Sequence, residues 1–207
     1  MRKIILKDWV RKEHFEFFSQ FEEPFFGLTM TIDCTKAFDK AKRDGSSFFL
    51  YYLHRALKAA NQIENFRYRI MDNEVYLCDV INASPTIGRP NGTFGFSYID
   101  HNENEEDFYQ KAKEVIAEVQ QSTGLKPAGS GQNVIHFSAI PWVDFTALSH
   151  ARNYKFEDSC PKISFGKIME KDGKKTMAVS VHVHHGLADG LHVGLFADKF
   201  QELMDAQ

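Results

Sequence analysis

Four histidines fall close together near the C-terminal end, at positions 182, 184, 185 and 192, and an aspartate stands among them. In His184-His185-Gly186-Leu187-Ala188-Asp189-Gly190 an imidazole precedes a carboxylate by four residues, a spacing that suits a held general base. A free imidazole titrates near about 6.5, so at neutral pH most of it is the neutral form able to take a proton. Asp189 could fix the local geometry through an arginine or could orient the ring directly; the residues leave both open. Metal binding is the competing chemistry, because His182 and His184 would share one face of a strand while His185 points the other way. The HxHxDH and HExxH spacings are both absent, so no metal is expected. His182 and His192 are expected to be ordinary hydrogen-bonded histidines of the core or an interface.

A base held this way needs rigid elements on both sides. Residues 176–184 alternate as a strand does, and the apolar run 177–183 predicts burial on both faces, in the middle of a sheet. Gly186 and Gly190 bracket a tight exit, and 191–204 reads as an amphipathic helix. Upstream, Asp8 is a candidate N-cap for a helix over 9–21, ended by Pro24. A strand is predicted over 26–32. Helices follow over 35–43 and 47–63, the second with Phe49, Tyr52 and Leu53 on its apolar face. Short strands are expected near 66–70, 75–78, 84–87 and 94–99. A helix over 105–121 places Phe108, Ala112, Val115 and Val119 on one side. After a Gly-rich loop at 122–133, strands are predicted near 134–139, 145–149 and 163–168. Helices and strands mixed without strict alternation predict an α+β fold, a two-layer sandwich of a large mixed β-sheet and helices.

Composition narrows the function classes. The chain has 207 residues, 43% of them hydrophobic, enough for one substantial domain or two small ones. Nineteen Phe and seven Tyr can fill a large core or line an apolar pocket. A net charge of -3 without a basic run argues against a nucleic-acid partner. No apolar run approaches the roughly 18 residues of a membrane span, so no membrane partner is expected. The opening Met1-Arg2-Lys3 and its short apolar stretch are cut off by Lys7 and Asp8, unlike a signal peptide. Three widely spaced cysteines indicate neither a disulfide framework nor a CxxC site. A cytoplasmic protein is expected.

The histidine segment, with Leu191-His192-Val193 after it, resembles the active-site segment of the chloramphenicol acetyltransferases, and the related dihydrolipoyl acyltransferase domains carry a similar His-x-x-x-Asp-Gly. Three further segments resemble that family in the same order, across nearly the whole chain. Trp9 to Glu16 resembles its opening helix, whose Arg pairs with the motif Asp; by position this is Arg11. Ser138-Ala139-Ile140-Pro141-Trp142-Val143-Asp144-Phe145 resembles its Ser-x-x-Pro-Trp-x-x-Phe segment, whose Ser serves the oxyanion. Pro161 to Lys167 resembles a strand in which a Thr helps hold acceptor and water; Ser164 stands there in this chain.

The resemblance implies a CoA-dependent acyltransferase fold, one domain over 1–207, and acetyl transfer from acetyl-CoA to a hydroxyl of chloramphenicol without an acyl-enzyme or a metal. It makes His185 the general base, Ser138 the oxyanion donor, and Asp189 with Arg11 a buried ion pair that shapes the site. It further implies a homotrimer with active sites at the interfaces, the histidine from one subunit and much of the acceptor pocket from its neighbour. Phe17, Phe18, Phe26 and Phe137 are the candidates for an apolar acceptor pocket, with Ser164 beside them, and Lys167 for the phosphates of CoA. Phe18 stands where the family commonly has an aromatic hydroxyl, Glu23-Pro24 replaces a Pro-Cys, Ala188 replaces a Cys, and Ile168 stands where a Tyr often contacts CoA. These departures touch the pocket walls and the CoA channel rather than the acid-base groups. Two other readings stay open: the same fold acting on a different hydroxyl or thiol acceptor, and a non-catalytic trimeric binding module.

Overall fold

A computed structural model describes residues 1–125, 131–153 and 157–206. In chain order the elements are β1 (Arg2–Lys3), a 3-10 turn (Leu6–Asp8), α1 (Lys12–Phe18), β2 (Phe25–Asp33), α2 (Thr35–Arg43), α3 (Phe48–Asn61) and α4 (Glu64–Arg67). There follow β3 (Tyr68–Met71), β4 (Glu74–Leu77), β5 (Asn82–Gly88), β6 (Phe94–Phe96), α5 (Glu105–Gln121), β7 (Val134–Ala139), β8 (Lys162–Lys171), β9 (Lys174–His184) and α6 (Gly190–Asp205). Six strands form one sheet in the order β2-β9-β8-β7-β5-β6, and β1-β4-β3 form a small second sheet. The large sheet is mixed: β5, β7 and β8 run parallel, and the other pairs are antiparallel. This is the expected α+β layering.

Alternation along the strands decides what each face of the sheet does. Val179, Val181 and Val183 of β9, Ile163 and Phe165 of β8, and Ile135 and Phe137 of β7 pack with residues of α2, α3, α5 and α6 in one large core. The long helices therefore cover one face. Residues between them in sequence point to the opposite face: His136 and Ser138, Lys162 and Ser164, Ser180, His182 and His184. β9 lies between β2 and β8, the inner position its apolar run predicted. α3 is buried around most of its circumference, with Ser47 Oγ accepting from Leu50 N–H at its start. Burial therefore goes well beyond the single apolar face expected from Phe49, Tyr52 and Leu53.

Three expectations fail locally. The helix predicted over 9–21 begins only at Lys12, and Asp8 ends the 3-10 turn instead of capping it. Trp9 is the cause: its Nε1 donates to Tyr68 Oη at 3.1 Å and its ring lies edge-on to Tyr68 at 5.0 Å, which holds the chain off a helical course. No strand forms at 145–149. That stretch crosses the polar face of the sheet as irregular chain, with Val143 O accepting from Lys167 N–H at 2.9 Å. The strand near 94–99 stops at Phe96, leaving Ile99 to bridge Ala83 alone. Within the loop expected at 122–133, residues 126–130 lie outside the described residues.

Candidate active site

The histidine motif is the turn that leads from β9 into α6. His184 pairs with Phe25 as the last residue of the β2–β9 ladder, and Asp189 is the N-cap of α6. Between them the chain doubles back, with Leu187 and Ala188 N–H both donating to His184 O at 2.9 and 3.0 Å. Gly186 lets the turn pack closely under α1, since a Cβ there would sit a tight 3.1 Å from the backbone Cα of Phe15. His184 braces the turn from inside: its Nδ1 accepts from Gly186 N–H at 3.1 Å, and only 5% of the residue is exposed. Burial, with Arg152 nearby, pushes its pKa down to about 4, so it is neutral and carries its proton on Nε2. Asn65 Nδ2 closes the turn from the other side by donating to Leu187 O at 2.7 Å.

His185 follows the strand end and is held by stacking. Its backbone N–H donates to Pro24 O at 2.8 Å. Its ring lies flat against Phe18 (4.0 Å between centroids, 9° between planes) and tilted against Phe26 at 4.5 Å. Among the described residues Nδ1 is buried without a hydrogen-bond partner. The two phenylalanines fix the plane of the imidazole, which is what a proton acceptor needs in order to meet a hydroxyl at one angle.

Asp189 turns toward Arg11 and away from the His185 ring, which answers what the residues alone left open. Arg11 Nη1 donates to Asp189 Oδ2 at 2.8 Å, Nη2 to His185 O at 3.1 Å and Nε to Gly186 O at 3.4 Å. One guanidinium thus ties together the start of α1 and both ends of the motif turn. Arg11 is 8% exposed, whereas the Asp189 side chain keeps 30%, so the pair is half-buried. Asp189 also accepts from Leu191 N–H at 3.1 Å, and its own backbone N–H donates to His192 Nδ1 at 3.1 Å, completing a capping box at the start of α6. Burial opposes the charge on Asp189; Arg11 and His192 outweigh it and hold the carboxyl below its usual range.

Ser138 lies elsewhere. It sits on β7 with its Oγ 3.5 Å from Thr86 Oγ, on the wall of a cavity of about 560 Å³. Ser138, Ser164 and Ser180 stand side by side on β7, β8 and β9, and His185 is five residues beyond Ser180 along β9. With about 4.8 Å between strands and about 3.3 Å per residue, the backbones of Ser138 and His185 are roughly 19 Å apart. No pair of side chains spans that gap to within hydrogen-bond reach of one group.

The remaining candidates divide. Phe18 and Phe26 belong to the His185 cluster. Phe17 and Phe21 extend it outward, 57% and 46% exposed, with rings 5.1 to 5.3 Å from one another and from Phe18. Phe137 departs from its expected role: it borders the cavity, but its ring stacks on Phe165 in the core on the helix side, 2% exposed. Alternation forces this, since Ser138 takes the opposite face. Ser164 is fully buried, its Oγ without a partner among the described residues. Lys167 is exposed at an irregularity in the β8–β9 pairing. Cavity residues such as His136, His150 and Lys162 were not singled out from sequence. The available signal was a polar residue at every second position of the predicted strands: His136 and Ser138, Lys162 and Ser164, Ser180 and His182. Among the described residues no cluster of His, Cys, Asp and Glu could hold a metal ion, and no helix is long and apolar enough to cross a membrane.

Comparison with known proteins completes the description. A solved structure of a chloramphenicol acetyltransferase superposes with a TM-score of 0.90 at 31% identity, covering 98% of this chain and 99% of that one. Chloramphenicol acetyltransferase 3 of Escherichia coli is 28% identical over 208 aligned positions, 99% of this chain and 97% of the relative. The Proteus mirabilis chloramphenicol acetyltransferase is 29% identical over 97% of this chain and 93% of the relative. The family model described as chloramphenicol acetyltransferase matches residues 1–201, from ahead of Arg11 to beyond the histidine turn, and the chain belongs to that family.

Proposed function

We propose that this protein transfers the acetyl group of acetyl-CoA to a hydroxyl of chloramphenicol, so inactivating the antibiotic, with 1–207 acting as one catalytic domain in the cytoplasm, where acetyl-CoA is made available. The observation that carries the reading is His185, a base clamped between Phe18 and Phe26 in a family member matched from end to end. His185 takes the proton of the acceptor hydroxyl as its oxygen bonds to the thioester carbonyl carbon. The Ser138 hydroxyl donates to the oxyanion that forms. As the carbon–sulfur bond breaks, the proton on His185 passes to the sulfur, giving acetyl ester and free CoA. No bond to the enzyme is made. Ser164, whose hydroxyl has no partner among the described residues, has a proton to offer acceptor or water beside Ser138. The exposed Lys167 is placed to meet a CoA phosphate.

The separation between Ser138 and His185 supports a shared site. His185 of one copy meets the Ser138 cavity of the next, and the exposed rings of Phe17 and Phe21 are covered where the copies join. The two patches differ, so the contact is head-to-tail and closes as a ring, here a homotrimer. The deciding assay is release of free CoA thiol from acetyl-CoA with chloramphenicol as acceptor. Wild type is expected to turn over, and His185→Ala to lose about 10²–10⁴-fold in kcat/KM with an unchanged melting temperature. A folded His185→Ala protein with full activity removes the mechanism.

A further inference from the structure

The small second sheet and α4 carry no group of the acetyl-transfer reaction, yet they meet the histidine turn. α4 is four residues long, and each of its side chains has its own anchor. Phe66 is wholly buried in the main core, its ring stacked on Phe196 of α6 at 5.1 Å. Arg67 Nη1 donates to Cys78 O and Asp79 O at 3.0 and 3.1 Å, fastening the helix to the chain that leaves β4. The first two residues reach toward the motif turn and its partner segment. Glu64 Oε1 accepts from Tyr68 Oη at 2.5 Å, and the same Tyr68 oxygen accepts from Trp9 Nε1 at 3.1 Å. Asn65 Nδ2 donates to Leu187 O at 2.7 Å.

These two contacts flank the base. Trp9 stands two residues before Arg11, and Leu187 two residues after His185. Arg11 in turn bonds His185 O, Gly186 O and the Asp189 carboxylate. The main chain of His185 is therefore held between a guanidinium on one side and a carboxamide on the other, and α4 braces both. Packing repeats the arrangement. The Leu187 side chain is 2% exposed, in a satellite core with Phe15 of α1 and Tyr68, Ile70, Val75 and Leu77 of the small sheet, while Ala188 packs in the main core. Stacking on Phe18 and Phe26 sets the plane of the imidazole; the main chain sets where in that plane its nitrogens lie.

We propose that Asn65 is a positioning residue for the general base His185, with α4 and the small sheet as the rigid scaffold behind it. The proposal rests on the acetyl-transfer reading. Asn65 acts through the Leu187 carbonyl: its amide is committed to a main-chain acceptor, so its loss moves the base without removing a substrate contact. Only a donor serves at this place. An ionised aspartate has the same shape but sets a negative oxygen against the carbonyl. A shift of about 1 Å in a reacting group can cost about 10²-fold in rate while substrate binding is kept, so the loss falls on kcat and not on KM.

The test is CoA release from acetyl-CoA with chloramphenicol, on the full chain, for wild type, Asn65→Asp and Asn65→Leu. Asn65→Asp keeps the volume and loses the donor, since its carboxyl is ionised at neutral pH. Its kcat is expected to fall about 10–10²-fold, with KM for both substrates within about 2-fold of wild type. A residue that only filled space would survive this substitution. Hydrogen exchange at the Leu187 and Ala188 amides, whose bonds to His184 O close the turn, should quicken about 10-fold while α3 stays protected. Asn65→Leu, without donor or charge, is expected to act in the same direction, and it carries the comparison if melting curves show that Asn65→Asp fails to fold. Wild-type kcat in a folded variant, a rise in KM at unchanged kcat, or unchanged exchange in the turn overturns the proposal and leaves acetyl transfer standing. No release by wild type overturns acetyl transfer itself, and the proposal with it.

Discussion

At the scale of single residues, the motif turn separates two roles that a His–Asp spacing suggests are one. His185 is oriented by aromatic stacking, and Asp189 by Arg11. Asp189→Asn tests this division cleanly, because asparagine caps a helix as well as aspartate does and so preserves the start of α6. What it removes is the charge opposite Arg11. Breaking a buried pair typically costs about 3–5 kcal/mol, and the 30% exposure of Asp189 places this one at or below the lower end, about 1–3 kcal/mol. Activity and melting temperature are expected to fall together in Asp189→Asn, in contrast to His185→Ala, where activity alone falls. An Asp189→Asn protein with wild-type stability and rate removes the structural role assigned to Arg11. Sequence suggested the pair only through resemblance. The bonds from Arg11 to His185 O and Gly186 O were invisible in it, because carbonyl partners leave no trace in residue identity.

At the scale of elements, the β9–α6 turn depends on a neutral histidine, and this sets an acid limit. His184 titrates near 6.5 when unfolded and near about 4 when folded, so below pH 6.5 the unfolded chain binds the extra proton. The stabilisation is fully present above pH 6.5 and is lost as pH falls toward 4, the loss reaching about 2 kcal/mol by pH 5. His150 acts in the same direction. Melting temperature should therefore decline between pH 7 and 4.5, ahead of the carboxylates. His184→Gln, which keeps an acceptor for Gly186 N–H without a titrating ring, should decline less. Equal slopes in the two proteins would show that His184 does not carry the effect. Most elements were legible, since α2 and α5 span the predicted residues and β9 extends its predicted run at the start. The errors at 9–11 and 145–149 fell where Trp9 bonding to Tyr68 and the packing of residues 143–145 on β8 override local preference, and a third cut the 94–99 strand short at Phe96.

At the scale of the whole molecule, His185 and Ser138 lie on different surfaces of one chain, so under the proposed mechanism function is a property of the assembly. Mixing provides the measurement. His185→Ala and Ser138→Ala are each expected to be inactive or nearly so, the second by about 10²–10³-fold in kcat. Unfolded together and refolded at equal ratio, they should regain about a quarter of wild-type sites, since a random head-to-tail ring joins an intact His185 to an intact Ser138 in one interface of four. No recovery from well-folded mixed oligomers would place both groups in one copy's site. The sequence by itself determined the layers of the fold and singled out His185 as the candidate base, because residue types, their spacing and hydrophobic period are local properties written along the chain. Only the tertiary structure decided that Asp189 serves Arg11, that Phe137 belongs to the core, and that His136, His150 and Lys162 form a polar wall beside Ser138. Those outcomes depend on strand register and face, which join residues distant along the chain and follow from how the whole sheet pairs.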